Sequence, residues 1–114
     1  NPMAAAIGIA SIDVLLEENL PQRAAELGEY FSTQLQKISC PAVKEIRSKG
    51  LMIGVEIKPE FGSARRFCEA LMEEGILCKE THVTTIRFTP PLVILKEELD
   101  WALDKIAKVF EKLC

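Results

Sequence analysis

From Met3 to Leu16, eleven of fourteen positions are apolar, and only Ser11 and Asp13 can furnish a polar face. The composition is that of a helix, and a helix apolar nearly all round must be buried nearly all round. Two arrangements satisfy that demand: a central core helix, or a helix whose second face meets protein outside this chain. Glu17-Glu18-Asn19 interrupts the run, and Pro21 suits the first turn of a new helix with Asn19 or Leu20 before it. From Pro21 onward, Ala24, Leu27, Tyr30-Phe31, Leu35 and Ile38 recur at three- and four-residue spacing, which predicts an amphipathic helix ended by Ser39-Cys40-Pro41.

The period then drops to that of a strand. Val43 to Arg47 reads as one strand, Ser48-Lys49-Gly50 as a tight turn, and Leu51 to Ile57 as a second strand. In the second, Leu51, Ile53, Val55 and Ile57 fall on one face and Met52, Gly54 and Glu56 on the other, so the pair predicts an antiparallel hairpin. Pro59 to Gly62 breaks the pattern. Ser63 is placed to cap a helix running to Glu74, with Phe67, Cys68, Leu71 and Met72 inward and Glu69, Glu73 and Glu74 as a solvated face. Gly75 suits the position after that helix, and Ile76-Leu77-Cys78 predicts a strand. Thr81-His82-Val83 predicts a bend and Thr84 to Phe88 a further strand, stopped by Pro90-Pro91. Lys96 to Leu113 is an amphipathic helix with Leu99, Ala102-Leu103, Ile106, Val109-Phe110 and Leu113 on its apolar stripe. The order predicts an α+β fold, a small and mostly antiparallel sheet of about four strands with helices packed on one side. Residues 1–114 form one domain in this reading, with 1–18 as a helix bridging to protein absent from the chain.

Composition narrows the function classes. Hydrophobic residues at 48% and charged ones at 27% over 114 residues describe a globular chain rather than a disordered one. A net charge of −3 leaves no electrostatic footprint for nucleic acid or an anionic membrane, and the apolar first segment is too short for a membrane span. The chain opens Asn1-Pro2-Met3 rather than at a start methionine, as a piece cut from something longer would. Cys40, Cys68, Cys78 and Cys114 are scattered without a C-x-x-C pair, and with a single histidine they predict no zinc site. Free thiols in a reducing compartment are the expectation, with two disulfides as the alternative.

Phosphate-loop, dinucleotide, zinc-protease and nucleophile-elbow motifs are absent, and Gly50-Leu51-Met52-Ile53-Gly54 sits on a hairpin rather than a phosphate cradle. His82 reads as an ordinary turn residue or as a general base. Arg87 is the position with distinctive chemistry. Strand alternation sets Ile86 and Phe88 on one face and Thr85, Arg87 and Thr89 on the other, just before the stiff diproline. A guanidinium held on a short strand opposite the core suits a fork for a carboxylate, while a surface or ion-paired arginine is the plainer reading.

Lys79-Glu80-Thr81-His82 followed by Ile86-Arg87-Phe88-Thr89-Pro90-Pro91-Leu92-Val93-Ile94 resembles the C-terminal region of ornithine aminotransferases, pyridoxal-phosphate (PLP) enzymes of the class III aminotransferase family. Asn1-Pro2-Met3-Ala4 is similar to the end of that family's Gly-Gly-Asn-Pro segment. Arg47-Ser48-Lys49-Gly50-Leu51-Met52 resembles its Arg-Gly-x-Gly-Leu hairpin, so the resemblance extends over nearly the whole chain. Glu80 stands where a proline is common, Val83 where a glycine is common, and Ser48 replaces a glycine. The resemblance implies that Arg87 binds the α-carboxylate of an amino-acid or 2-oxo-acid substrate, shielded by a large-domain glutamate when ornithine presents its δ-amine. It further implies that the Schiff-base lysine lies upstream and that none of the nine lysines here matches it. The expectation is therefore a small C-terminal domain supplying Arg87 to a PLP-dependent ornithine aminotransferase, with no catalytic, cofactor or metal residue of its own and no PLP bound to the fragment. The partners implied are the enzyme's large PLP-binding domain, a second subunit in a homodimer, and small amino-acid and 2-oxo-acid substrates. The location implied is the cytoplasm, or the mitochondrial matrix in a eukaryote. Two alternatives stand beside it: a class III transaminase acting on acetylornithine or another ω-amine, and a stand-alone α+β interaction or ligand-sensing module.

Overall fold

The computed structural model describes residues 1–114. Helix α1 spans Pro2–Glu17 and α2 spans Leu20–Lys37; between them Asn19 adopts the left-handed conformation at φ 51°, which asparagine tolerates. Strand β1 (Val43–Lys49) and β2 (Met52–Ile57) form the hairpin, followed by a short 3-10 turn at Pro59–Phe61 and helix α3 (Ala64–Glu73). Strands β3 (Lys79–Thr81) and β4 (Thr85–Phe88) lead into α4 (Lys96–Leu113). The sheet is antiparallel throughout in the order β1-β2-β4-β3.

The α+β expectation holds, and α2, α3 and α4 supply the core against one face of the sheet. Ile53, Val55 and Ile57 of β2 and Ile86 and Phe88 of β4 are buried there, as their alternation requires. Phe31 of α2 meets Phe88 edge-to-face at 6.1 Å between centroids, and Phe67 of α3 meets Phe110 of α4 likewise at 5.8 Å. Glu74 ties the end of α3 to α4 through Lys105 at 3.2 Å and Lys108, so it is not the freely solvated acid expected.

Several other expectations are corrected. Helix α1 has no buried residue, so it is not a central core helix. The strand expected at Ile76-Leu77-Cys78 begins instead at Lys79. Gly75, at φ 91°, closes α3 in a Schellman cap in which its N–H donates to the Met72 carbonyl and the Ile76 N–H to the Leu71 carbonyl. Ile76 is thus spent on the cap, and pairing starts only where Lys79 reaches Arg87. The hairpin turn is Gly50-Leu51 rather than Ser48-Lys49-Gly50, because Lys49 still pairs with Met52. Met72 is exposed, since Ala64, Phe67, Cys68 and Leu71 already fill the narrow inner face of this short helix. Ser63 occupies the N-cap of α3 without capping it by its side chain; the first amide, that of Ala64, donates to the Val83 carbonyl at 2.9 Å.

Cysteine pairing is the other correction. Cys40, after α2, and Cys114, after α4, form a disulfide with 5.5 Å between Cα atoms, whereas Cys68 and Cys78 are free. Both joined residues follow helices packed on the same sheet, which brings together positions 74 residues apart. Alkylating the denatured, unreduced chain should therefore label Cys68 and Cys78 only, and prior reduction should raise the count to all four by intact mass.

Between β3 and β4, His82 (φ 50°) and Val83 (φ 66°) are both left-handed. Two such residues in succession suit a tight hairpin of twisted strands, but a β-branched side chain is strained there. Val83→Gly is expected to raise stability by about 0.5–1 kcal/mol, read as a higher urea midpoint at unchanged slope.

Candidate functional site: the open face of the sheet

The face of the sheet away from the helices is polar, and its register sorts it into rows. Arg47 of β1, Gly54 of β2, Arg87 of β4 and Lys79 of β3 are successive cross-strand partners. One step along, Glu45, Glu56, Thr85 and Thr81 form the next row by the same pairings. A cationic row therefore lies beside a row of carboxylates and hydroxyls.

The two arginines have different fates. Arg47 Nη1 donates to Glu56 Oε2 at 2.9 Å, and Nη2 reaches Thr85 Oγ1 at 3.5 Å. Glu56 is held on its other oxygen by Lys44 Nζ at 2.9 Å. These two hydrogen bonds, from Lys44 first and Arg47 second, hold the Glu56 carboxyl below its ordinary range. Arg87 is exposed and has no carboxylate within ion-pair distance. It lies beside a cleft of about 380 Å³ lined by Arg47, Gly54, Thr81, His82, Thr85 and other residues, none of them acidic. A larger hollow of about 680 Å³ between the diproline and α4 is lined mostly by apolar groups, and its charged residues are Glu97 and Glu98. Only the first can receive an anion without repulsion.

The structure thus places the sequence-derived Arg87 on the open face, and sets His82 at the edge of the same cleft. The Arg47–Glu56–Thr85 network was missed, although hairpin alternation already put Gly54 and Glu56 on this face. A Schiff-base lysine for PLP is commonly activated by desolvation of its amine. No lysine of the chain is buried, so none has the desolvated setting that depresses an amine's pKa.

Because Glu56 titrates below its unfolded value, its ion pairs stabilise the fold above that unfolded value and are lost as pH falls through the folded one. Below pH about 4 the wild-type urea midpoint should drop further than that of Glu56→Gln, which lacks this titration.

The model of the family described as aminotransferase class III matches residues 1–110. The chain belongs to the class III aminotransferase family. Within it, an ornithine aminotransferase of Staphylococcus epidermidis is 60% identical over 110 residues, which are 96% of this chain and 27% of that relative. The chain therefore spans about a quarter of the length of such class III relatives. Among solved structures, an ornithine aminotransferase from Plasmodium yoelii superposes with a TM-score of 0.94 at 35% identity, over 100% of this chain and 31% of that one. An acetylornithine aminotransferase from Elizabethkingia anophelis does so at 0.92 and 36%, over 98% of this chain and 29% of that one. No helix of this class III chain is long and apolar enough to cross a membrane.

Proposed function

We propose that this chain is the C-terminal small domain of an ornithine δ-aminotransferase, and that Arg87 receives the α-carboxylate of its glutamate and 2-oxoglutarate substrates. The parent enzyme moves the δ-amino group of ornithine to 2-oxoglutarate, giving glutamate semialdehyde and glutamate. PLP, held elsewhere in the parent, supplies the electron sink for this exchange; the chain alone binds none.

The observation that carries this reading is the unpaired Arg87, fixed on β4 beside an acid-free cleft while its neighbour Arg47 is committed to Glu56. A rigid strand holds the guanidinium fork in one orientation, and a carboxylate accepting two parallel hydrogen bonds satisfies it. The 60% identity to a protein named for ornithine supports that amine over acetylornithine. Helix α1 supports the small-domain reading: Met3, Ile7, Ile9, Ile12 and Leu16 are all more than half exposed, as suits a surface that the large domain covers. A homodimeric parent working in the cytoplasm completes the proposal.

Half-reaction spectra of the full-length protein test it. Ornithine should convert the cofactor to its amine form rapidly and N-acetylornithine should not; the reverse order assigns the sister activity, and no response to either amine overturns the reading.

A further inference from the structure

Gly54 is a glycine that its own surroundings do not require. It sits in the interior of β2, paired on one side with Arg47 and on the other with Arg87. Its backbone is not in the left-handed region, which among the glycines holds only Gly50, Gly62 and Gly75. A Cβ built on it meets nothing closer than Thr85 Cγ2 at 3.5 Å, with Arg47 Cγ and Nε at 3.7 Å, all ordinary contacts. Neither conformation nor packing therefore excludes a methyl group, although γ atoms of a larger residue would meet the Arg47 side chain that crosses β2 to Glu56 and Thr85; a glycine meanwhile weakens a strand interior. A strand glycine often marks a bulge, a bend or a close approach by a ligand, and Gly54 pairs regularly on both sides without a bulge beside it.

What approaches is indicated by the charges around the gap. Arg47 on one side is neutralised by Glu56, and Arg87 on the other is free. The gap belongs to the acid-free cleft, which Thr81, His82 and Thr85 also line. Cross-strand neighbours lie about 5 Å apart, so a branched side chain at 54 would stand where a ligand turns into the Arg87 fork.

We propose that Gly54 is a specificity-determining residue: its bare backbone is the floor over which the carboxylate end of a 2-oxo acid or α-amino acid lies to reach Arg87. The proposal rests on the carboxylate role of Arg87 given above. A larger residue at 54 selects against substrates that need Arg87 and spares an amine donor that does not.

The test uses the full-length protein with Gly54→Ala, Gly54→Val and Gly54→Leu, followed in both half-reactions, with thermal melting of each. Alanine should change the KM for 2-oxoglutarate less than about threefold, because its methyl fits, whereas valine and leucine should raise it about tenfold or more. The kcat for 2-oxoglutarate and the KM for ornithine should stay within about threefold, since the loss is one of access. Melting of Gly54→Ala should be unchanged or higher, since its methyl makes only ordinary contacts. An unchanged KM for 2-oxoglutarate in Gly54→Val, or equal losses in both half-reactions with a lowered melting temperature, overturns the proposal. Arg87→Gln separates the two ideas: if it leaves the 2-oxoglutarate half-reaction intact, the carboxylate role of Arg87 fails. If it abolishes that half-reaction while Gly54→Val does not impair it, the Gly54 inference alone fails.

Discussion

Changing Arg87 to alanine in the full-length protein is expected to slow the 2-oxoglutarate half-reaction by about 100- to 1,000-fold, and the ornithine half-reaction by less than about tenfold. The asymmetry follows from which end of each substrate faces the site. In the proposed role, glutamate and 2-oxoglutarate place an α-carboxylate at the fork, whereas ornithine presents an amine and leaves the fork unused. Arg87→Lys should recover only a small part of the loss, because an ammonium keeps the charge without the two parallel donors. Loss of the same size in both half-reactions, or no loss, would take Arg87 out of this role. Arg47 is a poor substitute in either variant, since its donors are occupied by Glu56 and Thr85.

The largest effect on folding is expected at Gly28. This residue of α2 is buried against the turn of the β1–β2 hairpin, and a Cβ there would lie 2.0 Å from the carbonyl oxygen of Gly50 and 2.3 Å from its carbon. Both obstructing atoms are backbone, so no rotamer change relieves the clash. Helix and hairpin must separate, which breaks the seam on which Phe31 and Leu35 meet the sheet. Gly28→Ala should cost upwards of about 3 kcal/mol and lower the melting temperature by roughly 10 °C or more. Gly8→Ala is the contrast, since nothing lies within 4 Å of a Cβ there. It should stabilise α1 slightly through helix propensity alone.

The regular parts of this fold were legible because their periods are undiluted. Ile53, Val55 and Ile57 alternate strictly in β2, and the stripe from Leu99 to Phe110 repeats every three or four residues in α4. Misplaced features depend on contacts that a period does not encode. Strand β3 starts late because Ile76 bonds back to Leu71, and Cys40 finds Cys114 only after two helices have packed. At the site, Arg87 stood out through its face and its neighbours in sequence. The pairing of Arg47 with Glu56 needed the true register of the hairpin, in which the turn falls on Gly50-Leu51.

Helix α1 stands apart from the packed core. It begins with Asn1 accepting from the Ala4 amide at 2.8 Å and with a proline in its first turn, so its start is well made. Yet it buries no side chain and extends a molecule that measures 50 × 29 × 23 Å. Sixteen residues with no buried side chain, touching chiefly the neighbouring α2, are close to the length at which a helix in water is only marginal, about 12–15 residues. In the separated chain, the amides of α1 should therefore exchange with deuterium through local fraying, at a rate insensitive to Gly28→Ala. Those of α2, β2 and α4 should exchange only with global opening and accelerate in that variant, dividing the 114 residues into two cooperative units.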